Sequence, residues 1–336
     1  MSVAPTILTV TMNPTVDISL EVDRLHAEGK NRAVVRSVQG GGGGINVARC
    51  VGKLGGSAVA LHTYGREVGQ RLNRLLDEEG LAHRGVEISS DTREAVVVAE
   101  THPWHSYHLV PPGAELTAIE QDRCIQAIIA AAQQFPYIVL TGSVPPGLPD
   151  DFCARLVRRI DPSSTRVVLD IAGAQLRGVL TENSFAIRLD RREAAGLIGR
   201  PIECFDDAQT ANDLLLASGA TGNAITTVGA LGAVYSNVAF HHCISAPTAE
   251  EPLCSDACAG DSLVGAFTYQ LAAGADCLHA SEFGVAAAAA TVMRPGTEVF
   301  EPATVDALQA AVRVHRIDRP SAERGVAEPA RVAEGP

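Results

Sequence analysis

Residues 257–267 read Ala-Cys-Ala-Gly-Asp-Ser-Leu-Val-Gly-Ala-Phe, and no other stretch says more about the fold and the chemistry of this chain. Small residues lead into Asp261. Apolar residues then recur with the spacing of one helical face, at Leu263, Val264, Phe267 and Leu271. We therefore place Asp261 at a helix N-terminus, where unpaired N–H groups and the helix dipole attract anions. Such a carboxylate suits phosphoryl transfer, in which it deprotonates the attacking hydroxyl; the alternative is an ordinary aspartate N-cap.

A run of five glycines at residues 40–44 leads directly into Ile-Asn-Val-Ala-Arg. Five glycines lose much backbone entropy on folding, so they make sense where a ligand approaches the main chain closely. The apolar spacing predicts a helix after the run, with Gly55 and Gly56 to end it. The alternative is a flexible linker, although linkers do not usually open straight into an amphipathic helix. The loop is not a Walker A motif, because Lys-Ser/Thr is missing.

Together, these two segments resemble the site motifs of the ribokinase-like sugar kinases of the phosphofructokinase B family. The N-terminal motif lies at residues 41–49 and the C-terminal motif at residues 258–262. Shorter matches lie in order along the chain, at residues 11–14 with Asp17, 28–30, 141–147 and 295–297. The resemblance covers about residues 6 to 315. It implies an α/β fold with a mostly parallel central sheet flanked by helices, and a small β-sheet lid over the sugar site.

The order of apolar segments agrees with that fold class. Short apolar runs predict strands at residues 7–11, 137–140, 166–170 and 224–228. Helical patterns lie between them, for example at residues 119–135 and 206–217. This alternation is typical of parallel strands buried on both faces by helices, with ligands at the carboxyl ends of the strands.

The lid is expected in two inserted segments, at about residues 15–38 and 93–112. Apolar and polar residues alternate over residues 16–22, which predicts a strand with one dry face, and residues 95–100 and 107–110 are its candidate partners. We expect one kinase domain over residues 1–317. Residues 318–336 are rich in Pro, Ala, Glu and Arg without periodicity, which predicts a disordered tail.

Bulk properties narrow the class of protein. The formal net charge of −12 argues against a nucleic-acid-binding surface. No apolar run is long enough to span a bilayer, and the N-terminus lacks the pattern of a signal peptide. The eight cysteines are scattered, and several fall in apolar helical patterns. We therefore expect a reducing, cytoplasmic setting, without a disulfide framework and without a membrane or nucleic-acid partner.

The resemblance also implies residues for the sugar side of the site. Many relatives that use fructose 1-phosphate or tagatose 6-phosphate carry Lys where this chain has Gly43, whereas an all-glycine motif resembles the minor-type 6-phosphofructokinases. Lys30, Arg32 and Arg93 match positions that the family uses for the sugar phosphate, although each could equally be a solvated surface charge. The other implied substrate-binding residues are Asp17, Gly42, Gly43, Asn46 and Ser143.

On the nucleotide side the sequence departs further from the family. The usual Lys-Pro-Asn-x-x-Glu appears as Arg-Leu-Asp-Arg-Arg-Glu at residues 188–193, so Asp190 puts a carboxylate in place of an amide near the ATP phosphates. Glu193 is retained and is expected to hold Mg²⁺ through water. The implied nucleotide-binding residues are Arg188, Asp190, Thr227, Gly229 and Gly232.

The catalytic set implied by the resemblance is Cys258, Ala259, Gly260 and Asp261. Cys258 replaces the first glycine of the anion cradle, the loop of backbone amides at residues 258–261. If the cradle needs a positive φ there, its Cβ is strained.

These observations predict an ATP-dependent kinase for a sugar phosphate, with fructose 6-phosphate as the expected substrate. The expected cofactors are Mg²⁺ with ATP and a monovalent cation such as K⁺, and the expected assembly is a homodimer through the lid. Three alternatives stay open: a kinase for another phosphosugar, a kinase for a nucleoside or an unphosphorylated sugar, and a sugar-phosphate sensor that has lost turnover. Cys258 and Asp190 motivate the last of these.

Overall fold

In a computed structural model of the chain, residues 6–102, 104–247 and 255–318 are described. Fourteen strands form within these ranges: β1 Ile7–Thr11, β2 Thr15–Val22, β3 Val34–Gly41, β4 Ala58–Gly65, β5 His83–Ile88, β6 Arg93–Thr101, β7 Trp104–Leu109, β8 Tyr137–Thr141, β9 Arg166–Asp170, β10 Ser184–Leu189, β11 Thr221–Thr227, β12 Ala233–Ser236, β13 Phe240–Ser245 and β14 Arg313–Asp318. Ten of them form one sheet in the order β5-β4-β1-β8-β9-β10-β11-β12-β13-β14, and β5 to β11 in that order are parallel. The predicted parallel sheet is therefore confirmed, with three antiparallel strands added at one edge.

Helices cover both faces of this sheet. Their bounds are α1 Gly43–Lys53, α2 Arg66–Glu79, α3 Ala118–Ala132, α4 Phe152–Arg159, α5 Gly173–Val179, α6 Arg191–Ile198, α7 Phe205–Ala217, α8 Ala259–Ala272, α9 Cys277–Thr291 and α10 Pro302–Gln309. Side chains of α1, α2, α8 and α9 pack on one face, and those of α3 to α7 pack on the other. Strand β1 shows the pattern, because Leu8 faces one cluster and Ile7 the other, and both are buried. That double burial is why these strands read as continuous apolar runs.

The lid is a second, four-stranded sheet with the order β3-β2-β6-β7. Strand β2 pairs antiparallel with β3 and parallel with β6. Residues 107–110 were expected to pair with β2, and that expectation is wrong: β7 pairs with β6 instead, and β3 takes the other edge of β2. The alternating pattern identified β2 and β6, but it cannot tell which strands become neighbours, because that depends on contacts distant in sequence.

The end of the domain also differs slightly from the prediction. Asp318, the expected first residue of the tail, is the last residue of β14, which pairs with β13 at the edge of the large sheet. The remainder of the predicted tail, residues 319–336, lies outside the described residues. None of the described helices is long and apolar enough to cross a membrane.

Candidate active site

Asp261 lies in the first turn of α8, at the carboxyl edge of the parallel strands. It is the third residue of the helix, whereas the N-cap position belongs to Cys258. The ordinary N-cap interpretation of Asp261 is therefore wrong. Its carboxylate Oδ2 instead accepts a hydrogen bond of 2.8 Å from the Asn46 amide on α1. Burial, with the nearby Asp170 carboxylate, raises the pKa of Asp261 to about 7, the range that suits a general base.

The glycine run places a second helix N-terminus beside the first, because α1 begins within it at Gly43. A Cβ at Gly43 would lie 2.7 Å from the Thr141 hydroxyl oxygen and 3.0 Å from the Gly142 backbone nitrogen. Real Cβ atoms essentially never lie as close as 2.7 Å to another heavy atom, so a side chain at residue 43, such as the lysine named above, would have to displace the Thr141 hydroxyl at the end of β8. The glycine run therefore joins β3 directly to α1 and is not a flexible linker.

The Asn46 side chain also contacts Arg49, about one turn further along α1. The Arg49 guanidinium donates 2.7 Å to Asn46 Oδ1 and 2.6 Å to the carbonyl oxygen of Gly40, and it forms an ion pair with Glu79. Arg49 is buried, so these contacts are shielded from water. The sequence interpretation did not nominate Arg49, although it stands in the N-terminal motif three residues after Asn46.

A buried cluster lies directly under the cradle, at the ends of β8, β9 and β10. Arg188 donates 3.0 Å to Asp170 and 3.0 Å to the Thr227 hydroxyl, and Thr141 donates 2.9 Å to the other Asp170 oxygen. A Cβ at Gly260 would lie only 2.8 Å from an Arg188 nitrogen, so the guanidinium sits against the cradle backbone. Sequence reasoning missed Asp170, and the available signal was its place as the last residue of an apolar strand.

Four of the five predicted nucleotide-binding residues line one cavity of about 320 Å³ beside this cluster, and Asp190 is not part of its wall. Arg188, Thr227, Gly229 and Gly232 all contribute to its wall, together with Ala259 and Gly260 of the cradle. The volume lies within the usual range of small-molecule sites. A larger cavity of about 470 Å³ lies at the opposite, amino-terminal ends of β9 to β11, and none of the predicted site residues lines it.

Asp190 and Glu193 form a reciprocal cap at the start of α6. Asp190 accepts hydrogen bonds from the backbone N–H groups of Arg192 and Glu193, and the Glu193 carboxylate accepts one from the Asp190 N–H. A capping role explains why a carboxylate is tolerated at residue 190, because aspartate caps as well as asparagine does. Burial and the Asp170 charge raise the pKa of Glu193 to about 7. The mutual repulsion of the Glu193 and Asp170 carboxylates favours a bound cation.

On the sugar side, the lid and the large sheet meet at Asp17 and Arg93. Asp17 is buried against the glycine run, and its burial raises the pKa of its carboxyl. The Arg93 guanidinium donates to the carbonyl oxygens of Pro111 and Asn13, and its burial lowers the pKa of the side chain. Ser143 accepts 3.0 Å from the Asn13 amide. The structure therefore brings Asp17, Arg93 and Ser143 to the same side of the site.

Lys30 and Arg32 do not join this group within one chain. Arg93 pairs with Thr15 at the start of β2, whereas Lys30 and Arg32 are exposed in the connection beyond Val22, at the other end of that strand. Seven residue steps of strand separate the two ends, about 23 Å at 3.3 Å per residue. The resemblance marked all three cations as neighbours of one phosphate, and a single chain does not assemble that clamp.

Comparison with known proteins identifies the family. Residues 10–304 match the sequence profile described as pfkB family carbohydrate kinase. The chain belongs to the pfkB family of carbohydrate kinases. This kinase is 33% identical over 294 residues to the ATP-dependent 6-phosphofructokinase isozyme 2 of Mycobacterium tuberculosis, with 87% of this chain and 86% of that protein covered. It is 30% identical to the isozyme 2 of Escherichia coli K12, with 87% and 94% covered.

Solved structures agree with this assignment. The kinase superposes on Escherichia coli phosphofructokinase-2 in complex with potassium with a TM-score of 0.85 and 28% identity, and 91% of this chain and 99% of that chain are covered. The same relative in complex with fructose-6-phosphate gives a TM-score of 0.83 at the same identity and coverage. The ribokinase-like architecture expected from the two motifs is therefore confirmed.

Proposed function

We propose that the chain is an ATP-dependent 6-phosphofructokinase that converts fructose 6-phosphate into fructose 1,6-bisphosphate. The observation that carries the proposal is Asp261, a half-buried carboxylate in the first turn of α8 with its pKa raised to about 7. The names of the relatives supply the substrate, and the chain covers most of their length. The all-glycine first motif, in which a side chain at residue 43 would have to displace the Thr141 hydroxyl, supports fructose 6-phosphate over fructose 1-phosphate.

In the reaction, Asp261 takes the proton of the C1 hydroxyl while that oxygen attacks the γ-phosphorus of ATP. A new oxygen–phosphorus bond forms, and the bond from the γ-phosphorus to the β–γ bridging oxygen breaks. The backbone N–H groups at the start of α8 face the transferring group and offset its negative charge, and the Arg188 guanidinium lies against the same backbone. ADP leaves with the electrons of the broken bond.

Mg²⁺ fits the acidic side of this site. Glu193 is the residue we assign to it, through water, because burial and then the neighbouring Asp170 charge raise the pKa of Glu193, and a cation would relieve the repulsion between the two carboxylates. When bound, Mg²⁺ neutralises phosphate charge. A monovalent cation stays a prediction, and replacing K⁺ by Na⁺ in the assay tests it.

We also propose that two copies associate through their lids. The edge strands and their flanks expose apolar side chains, namely Val34, Val35, Tyr107, Leu109 and Val110. Exposed apolar patches of this kind mark interaction surfaces. Association through the lid would also give Lys30 and Arg32 a role. Within one chain they lie far from Arg93, but the same residues of a partner copy would reach the phosphate bound near Arg93.

A substrate panel tests the function. ADP formation is measured with fructose 6-phosphate, fructose 1-phosphate, tagatose 6-phosphate, fructose and a nucleoside, and ³¹P NMR locates the new phosphate. We expect turnover with fructose 6-phosphate and a product phosphorylated at C1. Preference for another phosphosugar, or for an unphosphorylated acceptor, would refute the assignment. Binding of fructose 6-phosphate without ATP turnover would show the sensor alternative to be correct.

A further inference from the structure

Cys258 has an unusual backbone conformation for a residue with a side chain. It caps α8 with φ of +61°, in the left-handed region that glycine adopts without strain. Within residues 6–102, 104–247 and 255–318, Arg66 is the other non-glycine residue with positive φ. The family motif has glycine at the position of Cys258. A cysteine in this conformation therefore destabilises the fold relative to glycine. Either its side chain makes interactions that offset this strain, or the strain is simply tolerated.

The thiol makes two contacts that glycine cannot make. Cys258 Sγ lies 3.3 Å from the Asn46 side-chain nitrogen, whose second N–H group donates to Asp261. The same sulfur lies 3.5 Å from the carbonyl oxygen of Thr297. Burial raises the pKa of the Cys258 thiol well above its ordinary value, so the group stays protonated. A protonated thiol can accept a hydrogen bond from Asn46 and donate its own proton to Thr297 at the same time.

Thr297 is in turn tied to the lid. The Gln39 side-chain amide donates to both the hydroxyl and the carbonyl oxygen of Thr297. Gln39 lies on β3, directly opposite Asp17 of β2. A continuous chain of contacts therefore runs from the lid strand that pairs with Asp17, through Thr297 and Cys258, to the amide that holds Asp261.

We propose that Cys258 is a positioning residue, whose thiol holds the Asn46 amide against the Asp261 carboxylate and links that pair to the Thr297 segment and the lid. The inference deepens the proposed function and rests on it. The thiol touches neither substrate in this role. It keeps the Asp261 carboxylate in one orientation through the Asn46 amide.

The kinetic test compares Cys258→Ala, Cys258→Gly and Cys258→Ser. Alanine keeps the strained backbone without the sulfur, glycine removes strain and sulfur together, and serine keeps a group that accepts and donates. We expect alanine and glycine to lower kcat about tenfold, with both KM values within about twofold, because a charge-assisted hydrogen bond is weakened. Serine should restore kcat to within about threefold. Cys204→Ala, an exposed cysteine outside the site, serves as the control.

The pH profile separates positioning from a purely structural role. The Asn46 hydrogen bond lowers the pKa of Asp261 against the effect of burial. When it is weakened, the acid limb of kcat/KM should move up by about half to one pH unit in the alanine and glycine variants. If glycine matches wild type in kcat and in pH profile while only alanine is impaired, strain alone explains the data and the proposal is wrong.

A thermal cycle tests the same point without turnover. Charged groups face Asp261 from three elements, namely Asp170 on β9, Arg188 on β10 and Arg49 on α1. To isolate the contribution of Asp261 from theirs, Tm is measured against pH in the wild-type and Asp261→Asn backgrounds. Asp261 has a raised pKa in the folded chain, so its contribution to stability is lost as pH rises through that value. Cys258→Ala should extend this loss to higher pH in the wild-type background alone. An equal change in both backgrounds would overturn the proposal, even if the panel had assigned a different substrate.

Discussion

Replacing Asp261 with asparagine tests the base directly. The substitution keeps the shape of the side chain and removes its ability to take a proton. Asparagine can still accept the hydrogen bond that Asn46 donates, so the packing between α1 and α8 is retained. We expect kcat to fall by a factor on the order of 10² to 10⁴, the usual contribution of general-base catalysis. The KM values for both substrates should change little.

The raised pKa of Asp261 adds a quantitative signature. With a value of about 7 in the free kinase, only about a tenth of the molecules carry an ionised Asp261 at pH 6, so kcat/KM should fall to about a tenth of its plateau there. The residual activity of Asp261→Asn should lack this acid limb. The assay follows ADP release between pH 5.5 and 9, and Asp306→Asn, on the exposed side of α10, is the matched control. Near-native turnover in Asp261→Asn, or an unchanged acid limb, would refute the mechanism.

Three further predictions concern the charges and the lid. Arg188→Lys should lower kcat/KM for ATP by about ten- to a hundredfold, because a point charge replaces the fork that bridges Asp170 and Thr227. An unchanged value would exclude a role for Arg188 in using ATP. Arg93→Ala should raise the KM for fructose 6-phosphate by a similar factor and leave the KM for ATP within about twofold; equal changes in both would argue against phosphate contact. Leu109→Glu should convert dimers into monomers in light scattering, whereas Val238→Glu, exposed outside the lid, should not; a monomeric wild type would disprove association through the lid.

The sequence by itself determined the architecture and the place of Asp261, the proposed base. Continuous apolar runs such as β1 and β8 predicted buried parallel strands, because only strands covered on both faces lack a polar side. The small residues before Asp261, followed by a helical apolar pattern, placed it in the first turn of α8. These are local signals, carried by side-chain spacing along one segment, and they survive in a single sequence.

What the tertiary structure decided depends on residues that are distant along the chain. Asp170 became part of the site only when β9 and β10 placed it beside Arg188, 18 positions away in sequence. Lys30 and Arg32 lie far from Arg93 because the pairing of β2 with β6 puts Arg93 at one end of the lid and the connection that carries Lys30 and Arg32 at the other. That pairing joins strands that are distant in sequence. The thiol of Cys258 contacts Asn46, 212 positions away in sequence, because α1 packs against α8. Hydrogen bonds and ion pairs act over a few ångströms of space, so the sequence could name these groups but could not bring them together.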